Sequence, residues 1–134
     1  MRFLIIMHDA DRAENIARAV TQRSLQSTRD VRVFRTRATA MAWAREVHDR
    51  GLVVITELHL EVPNAGLELL HQIRGACPGA RLHLIVPQDR FLNGVEIANR
   101  IDERLEPGDV ADVIVPSASR ISTVEERGSF PQEA

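Results

Sequence analysis

The stretch from residue 52 to residue 86, LVVITELHLEVPNAGLELLHQIRGACPGARLHLIV, decides the fold of this chain. It begins and ends with continuous apolar runs of strand length, residues 52–56 and 82–86, in which apolar and polar residues do not alternate. Such runs predict strands that are buried on both faces, as in a parallel sheet. Between the runs, apolar residues recur at helical spacing until a Pro-Gly pair ends the helix. The helical apolar positions are Leu69, Leu70, Ile73 and Cys77.

The same alternation of strand and helix extends to both sides of this stretch. Further strands are predicted at residues 3–7, 31–34 and 110–115. Asp9 or Asp11 is suited to cap the helix that follows the first strand. A helix is also predicted before the last strand, and a short one over residues 117–127. The apolar positions of the helix before the last strand are Ile97, Ala98, Ile101 and Leu105.

Five strands that alternate with helices predict an α/β fold with a single, doubly wound, five-stranded parallel sheet. We expect one domain over residues 1–127 and a flexible tail over residues 128–134. Arginines flank the second strand, which predicts an edge position; they suit either a solvated edge or an acidic partner. These arginines are Arg29, Arg32, Arg35 and Arg37.

Composition excludes several classes of protein. Charged residues make up 27% and the formal net charge is -2, which argues against a nucleic-acid-binding surface. A single Cys excludes a disulfide framework and fits a cytoplasmic location. We expect no membrane span and no signal peptide. All 17 basic residues are Arg, so chemistry that needs a Lys ammonium is excluded.

Residues 52–86 resemble the centre of a response-regulator receiver domain. In that family a strand ends on the Asp that is phosphorylated, a Pro-containing loop and a Gly follow, and a Leu-rich helix leads to the next strand. Here the corresponding residues are Glu57, Pro63 and Gly66. The segments RFLIIMHDADRAENIARAV and ADVIVPSAS are similar to the family's first and last strands, so the resemblance covers about residues 2 to 120. It implies a flavodoxin-like fold of the receiver type.

The resemblance also implies that the phosphorylation pocket is degenerate. The phosphoacceptor Asp falls on Glu57, which is one methylene longer. The acidic pair that binds magnesium falls on Met7 and His8, or on His8 and Asp9. Because Mg²⁺ prefers carboxylate oxygens, we expect it to bind weakly here.

The remaining pocket positions imply the same loss. The Thr or Ser at the end of the family's fourth strand falls on Val86 or Pro87, and neither has a hydroxyl. The Lys at the end of the fifth strand falls on Val115 or Ser117. Phosphoryl transfer to a carboxylate needs cationic groups around the phosphoryl oxygens, so receiver chemistry is expected to be absent.

The chain is therefore similar to the atypical or pseudo-receiver group. This resemblance implies a cytoplasmic, bacterial protein of two-component signal transduction, related to response regulators, that works without phosphorylation. We expect protein interaction in place of catalysis: a protein partner such as a kinase or another signalling protein, or a homodimer. No enzyme activity, cofactor, nucleic acid or membrane is expected to be involved.

A different class of function stays open. The chain could be a small-ligand or metal-binding α/β domain that uses the edge of the sheet where the strands end. No metal site is predicted, and His8, Asp9 and His59 are the candidate ligands if one exists, because imidazole and carboxylate together suit transition metals. Glu57 could also mimic a phosphorylated Asp.

Overall fold

The computed structural model describes residues 2–24, 31–47, 51–87 and 98–115. Its centre is a five-stranded sheet with the strand order β2-β1-β3-β4-β5, and every pairing is parallel. The predicted fold class is therefore confirmed. The strands are β1 (Arg2–Ile6), β2 (Val31–Phe34), β3 (Leu52–Glu57), β4 (Arg81–Val86) and β5 (Asn99–Asp102).

Within the described residues, four helices cover the sheet. They are α1 (Ala10–Arg23), α2 (Arg37–Val47), α3 (Ala65–Ala76) and α4, which is helical over residues 107–115. Of the two predicted cap residues, Asp9 caps α1, and its carboxylate accepts a hydrogen bond from the backbone N–H of Arg12 at 3.1 Å. In the ranges that the structure describes, none of the helices has the length and apolar character that crossing a membrane requires.

Each face of the sheet has its own hydrophobic core. Alternate residues of a strand point to opposite faces. In β1, Leu4 and Ile6 join the core under α2 and α3, whereas Phe3 and Ile5 join the core under α1 and α4. All four side chains are fully buried. Burial on both faces explains why the central strands appear in the sequence as continuous apolar runs.

β2 lies at one edge of the sheet and pairs with β1, as the flanking arginines predict. Its residues are half-buried or exposed. Val31 and Val33 pack against the core under α1, and Phe34 faces α2, where its ring centroid lies 6.2 Å from that of Trp43.

The prediction for the last third of the chain is wrong. The predicted fifth strand, residues 110–115, is part of α4, and Asn99–Asp102, which the predicted helix included, is β5. Val110, Ala111 and Ile114 are buried at helical spacing. β5 has no apolar run because this edge strand buries Ile101 alone. Ile97, the predicted helix over residues 117–127 and the tail over residues 128–134 lie outside the described residues.

Candidate functional site

The candidate site lies at the edge of the sheet where the strands end. In β1 and β3, Ile6 pairs with Thr56, and in β3 and β4, Glu57 pairs with Ile85. The strand order reverses between β1 and β3, because β1 connects to β2 on one side and β3 to β4 on the other. Open α/β sheets bind ligands at such a switch point. The residues that follow Ile6 and end β3 therefore flank the position where this fold places its chemistry.

Glu57 is the last residue of β3 and is half-buried. Its carboxylate accepts a hydrogen bond from the backbone N–H of His8, which lies in the loop after β1. The carboxylate is thus turned across the gap between the two strand ends and is held by a main-chain donor. A hydrogen bond of this type, with an ionised acceptor, is among the stronger ones in proteins.

The backbone around Glu57 is fixed by the start of α3. The N–H of Gly66 donates to the carbonyl oxygen of Leu58 at 2.8 Å. A Cβ on Gly66 would overlap the carbonyl oxygen of Glu57, and it would lie 2.9 Å from that carbonyl carbon. Only a residue without a side chain allows α3 to approach β3 so closely. Gly66, which the sequence places after the Pro-containing loop, therefore sets the position of Glu57.

The residues after β1 do not form an acidic pair. Met7 is fully buried and packs in the core under α1, so its side chain is a structural one. His8 is exposed and contributes its backbone N–H to Glu57. Asp9 is exposed and its carboxylate caps α1. The carboxylates of Glu57 and Asp9 therefore each accept a main-chain N–H.

Arg12 is a site residue that the sequence analysis missed. Its guanidinium reaches from the first turn of α1 to the loop after β5, where it donates to the carbonyl oxygens of Glu103 and of Leu105, the latter at 3.4 Å. The partners are backbone groups, so no sequence motif marks the contact. The position of Arg12 near the start of α1 is the one feature of the sequence that could have indicated its role. An Arg three residues after the cap Asp9 lies above the same edge of the sheet as Glu57.

The position of the family's Lys, at the end of the fifth strand, is predicted to fall on Val115 or Ser117, and for Val115 this is wrong. Val115 lies in α4 and not at a strand end, and Ser117 lies outside the described residues. β5 ends at Asp102, and Glu103 follows it, with its N–H donating to the carbonyl oxygen of Val86 at 3.0 Å. An acidic residue therefore stands where β5 leaves the sheet.

The end of β4 has no hydroxyl group. Val86 is fully buried in the core under α2 and α3, and Pro87, which follows it, is half-buried. Thr56 in β3 does have a hydroxyl, but that group donates to the carbonyl oxygen of Glu57 at 3.1 Å.

A small cavity of about 50 Å³ lies at the edge of the sheet where β3 and β4 end. A cavity of this size has room for a water molecule or two, whereas sites for small organic ligands usually measure about 300–1,000 Å³. Its lining combines one guanidinium, carboxylates and an imidazole with apolar side chains. The lining residues are Arg12, Glu57, Leu58, His59, Ile85, Pro87 and Glu103.

The side chains of two of the three candidate metal ligands, His59 and Asp9, are engaged in other contacts. His59 accepts the backbone N–H of Asn64 on its Nδ1 atom at 3.0 Å, and Asp9 caps α1. Asn64, at the start of α3, has a positive φ of 63°. Within residues 2–24, 31–47, 51–87 and 98–115, no three His, Cys, Asp or Glu side chains are grouped closely enough to hold a metal ion.

Comparisons with known proteins support the fold. No family model matches the chain, and no curated protein matches it. Among solved structures, the chain is similar to the crystal structure of a response regulator receiver domain protein (CheY-like) from Methanospirillum hungatei JF-1. The TM-score is 0.68 at 13% sequence identity, over 92% of this chain and 98% of that one. The architecture of this chain is therefore that of the receiver fold.

Proposed function

We propose that this chain is a receiver-like signalling module that works without phosphorylation and acts through protein contacts. The receiver fold supports a role in signal transduction of the two-component type. One observation carries the rest of the proposal: the carboxylate at the end of β3, Glu57, is bound by the backbone N–H of His8. The group that would have to attack phosphorus already has a main-chain partner.

The charges around Glu57 support the loss of phosphoryl transfer. Transfer to a carboxylate requires cations around the three phosphoryl oxygens and a divalent metal beside them. The guanidinium of Arg12 donates to two main-chain carbonyls, and the residue after β5 is the acidic Glu103. The sequence contains no Lys. A phosphoryl group on Glu57 would therefore add negative charge beside another carboxylate.

The residues at the positions of the family's magnesium ligands support the same conclusion. Mg²⁺ takes oxygen ligands in octahedral geometry and favours carboxylates. Met7 is in the core, His8 offers a backbone N–H, and Asp9 is bound to the start of α1. The residues after β1 therefore offer no free carboxylate beside Glu57, and the ion would have few anionic ligands on this side of the pocket.

A receiver-like module that cannot be phosphorylated transmits a signal by binding another molecule. We propose a protein partner, either a kinase or another signalling protein, or a second copy of this chain, and a cytoplasmic location. The pseudo-receiver assignment and the absence of enzyme activity are part of this proposal. The cavity of about 50 Å³ beside Glu57 argues against a small-ligand site at this edge of the sheet, because a metabolite does not fit in it.

The experiment is phosphorylation with a small donor. The ¹⁵N-labelled chain is treated with acetyl phosphate or beryllofluoride and Mg²⁺, and amide peaks are followed by NMR. We expect no peak to move and no mass increase. A receiver domain with an intact pocket serves as the positive control. A phosphoryl adduct that hydroxylamine removes, and that Glu57→Gln abolishes, would refute the proposal.

A further inference from the structure

Among the described residues, main-chain groups at defined positions on the outer edge of β2 have no strand partner. The carbonyl oxygen of Phe34 accepts the N–H of Met7 at 3.0 Å, so the main-chain groups of Phe34 face β1. In a strand, the N–H and C=O of one residue point to one side and those of the next residue point to the other. The N–H and C=O of Val33 and of Val31 therefore face away from β1. Among the described residues, no strand pairs with this side of β2.

A groove runs beside this edge, between α1 and β2, with a volume of about 480 Å³. Its floor is apolar and consists of Ala10 and Ala17 of α1 and Val33 of β2. Ala17 and Val33 are partly buried against the core under α1. The two alanines leave space above the strand that a larger side chain would fill. The groove thus offers an apolar surface directly beside the outward-facing main-chain donors and acceptors of β2.

The charges on the groove are mainly positive and lack acidic partners. Arg18 donates to the side-chain oxygen of Asn15 at 3.3 Å, and Arg35 donates to the carbonyl oxygen of His8 at 3.3 Å. In the described part of the chain, neither guanidinium contacts a carboxylate. Glu14 also lines the groove and lies four residues before Arg18, but no ion pair joins the two.

Three other arginines of the described residues do form ion pairs with carboxylates. The guanidinium groups of Arg23, Arg37 and Arg104 each form an ion pair with at least one Asp or Glu. The positive charge of Arg18 and Arg35 at the groove is thus not neutralised by a carboxylate of the described residues. It favours a ligand that brings its own carboxylates.

We propose that the edge of β2 and this groove bind an extended, acidic segment of a partner protein. The segment adds to the sheet as a strand beside β2, so that its main chain pairs with the outward groups of Val31 and Val33. One small apolar side chain lies on the floor of the groove, and carboxylates two residues to either side of it pair with Arg18 and Arg35. The inference rests on the proposed function in that both assign a protein partner.

A model peptide tests the inference. The probe is a fluorescein-labelled heptapeptide, Thr-Glu-Thr-Val-Thr-Glu-Thr, in which the Val and both Glu side chains share one face of a strand. Its control is the same peptide with Gln in place of each Glu. We expect the acidic peptide to bind and the Gln peptide to bind at least about tenfold more weakly. In ¹⁵N-labelled protein, the largest shifts are expected at the amides of Val31 and Val33.

Three single variants separate charge at the groove from charge elsewhere. Arg18→Glu is expected to weaken binding of the acidic peptide about tenfold, and Glu14→Gln to strengthen it about threefold. Arg45→Glu is the matched control, because Arg45 is an exposed arginine on α2 without a carboxylate partner in the described residues. It should leave binding unchanged.

The outcomes are distinguishable. No binding up to about 1 mM peptide, equal binding of the Gln peptide, or shifts centred on α2 instead of β2 would each overturn the inference. The comparison of the two peptides uses the unaltered chain, so it does not depend on the folding of any variant. It also does not depend on phosphorylation, so a failure here leaves the acetyl phosphate result of the proposed function unaffected.

Discussion

The carboxylate of Glu57 accepts the backbone N–H of His8 across the gap between the ends of β3 and β1. This gap is the switch point of the sheet, where doubly wound folds usually bind their ligands. Here a side chain of the protein takes up the donor that a ligand could have used. The contact joins the two central strands on the side of the sheet that faces α1. Thr56 pairs with Ile6, which faces the core under α2 and α3, and the next residue, Glu57, therefore faces the other side.

Shortening the Glu57 side chain is not expected to restore phosphorylation. Glu57→Asp supplies the residue type that the receiver family uses, but Arg12 remains bound to main-chain carbonyls and Glu103 remains beside the pocket. The loss of one charge-stabilising group typically costs about 3 kcal/mol in the transition state, and several are absent here. Intact-mass measurement after acetyl phosphate treatment is the readout. A stoichiometric adduct on the Asp variant would contradict this expectation.

Glycine at position 66 is expected to be essential, and glycine at position 75 is not. A Cβ at Gly66 would overlap the main chain of Glu57, so Gly66→Ala should move α3 away from β3 and lower the free energy of unfolding by about 2–4 kcal/mol. Gly75 lies in the same helix with no atom within 4 Å of a Cβ, so Gly75→Ala should raise it by about 0.5–1 kcal/mol. Urea unfolding of both variants measures the difference. Equal effects at the two positions would show that the close approach has no energetic importance.

Much of the fold could be predicted because burial on both faces leaves a signal in the sequence. β1, β3 and β4 are the central strands, and their side chains are buried toward both cores, which produces continuous apolar runs. β5 could not be recognised in the same way. It is an edge strand with two exposed residues. The later segment 110–115, which is apolar except for Asp112, resembles a strand but lies in α4.

The candidate site was predictable to the extent that it depends on strand ends. Glu57 and His8 follow or end apolar runs, so both could be placed at the same edge of the sheet. The contact of Arg12 with Glu103 and Leu105 could not be predicted, because its acceptors are main-chain carbonyls far away in the sequence. The error at Val115 has the same origin as the error at β5: once the strand was misplaced, the residue at its end was misplaced with it.

The thiol of Cys77 is expected to make stability depend on alkaline pH. Burial raises the pKa of the Cys77 thiol above its ordinary value of 9.0, and the thiol lies 3.6 Å from the carbonyl oxygen of Ala44. The unfolded chain releases this proton at lower pH than the folded one. The protonated thiol therefore makes its full contribution to the free energy of unfolding below the unfolded pKa, and this contribution is lost as the pH rises above about 9.

Urea unfolding between pH 7 and pH 10 checks this expectation, with Cys77→Ala as the control that should lose part of the alkaline decline. The native thiol should also react slowly with a disulfide reagent until urea unfolds the chain, because the thiolate is the reactive form. Fast reaction in the absence of urea would mean that the thiol is accessible in the native state.

Arg12 is expected to hold the loop between β5 and α4 against the start of α1. The Nη2 atom of its guanidinium donates to the carbonyls of both Glu103 and Leu105. We expect Arg12→Ala to lower the free energy of unfolding by about 1–2 kcal/mol. Arg12→Lys should recover part of that loss, because an ammonium also carries several N–H donors on one nitrogen. Arg45→Ala, an exposed arginine on α2, is the control and should change stability by less than about 0.5 kcal/mol.

Hydrogen exchange identifies where the Arg12 variants act. The amide of Leu105 donates to the carbonyl of Asp102 at 3.1 Å inside the loop that Arg12 holds, and the amide of Leu58 donates to the carbonyl of Ile85 at 3.0 Å outside it. If Arg12 restrains this loop, Arg12→Ala accelerates exchange at Leu105 more than at Leu58, since local opening no longer has to break the guanidinium contacts. A uniform acceleration at both amides would instead mean that the variant lowers global stability only, and the role of Arg12 as a loop restraint would have to be abandoned.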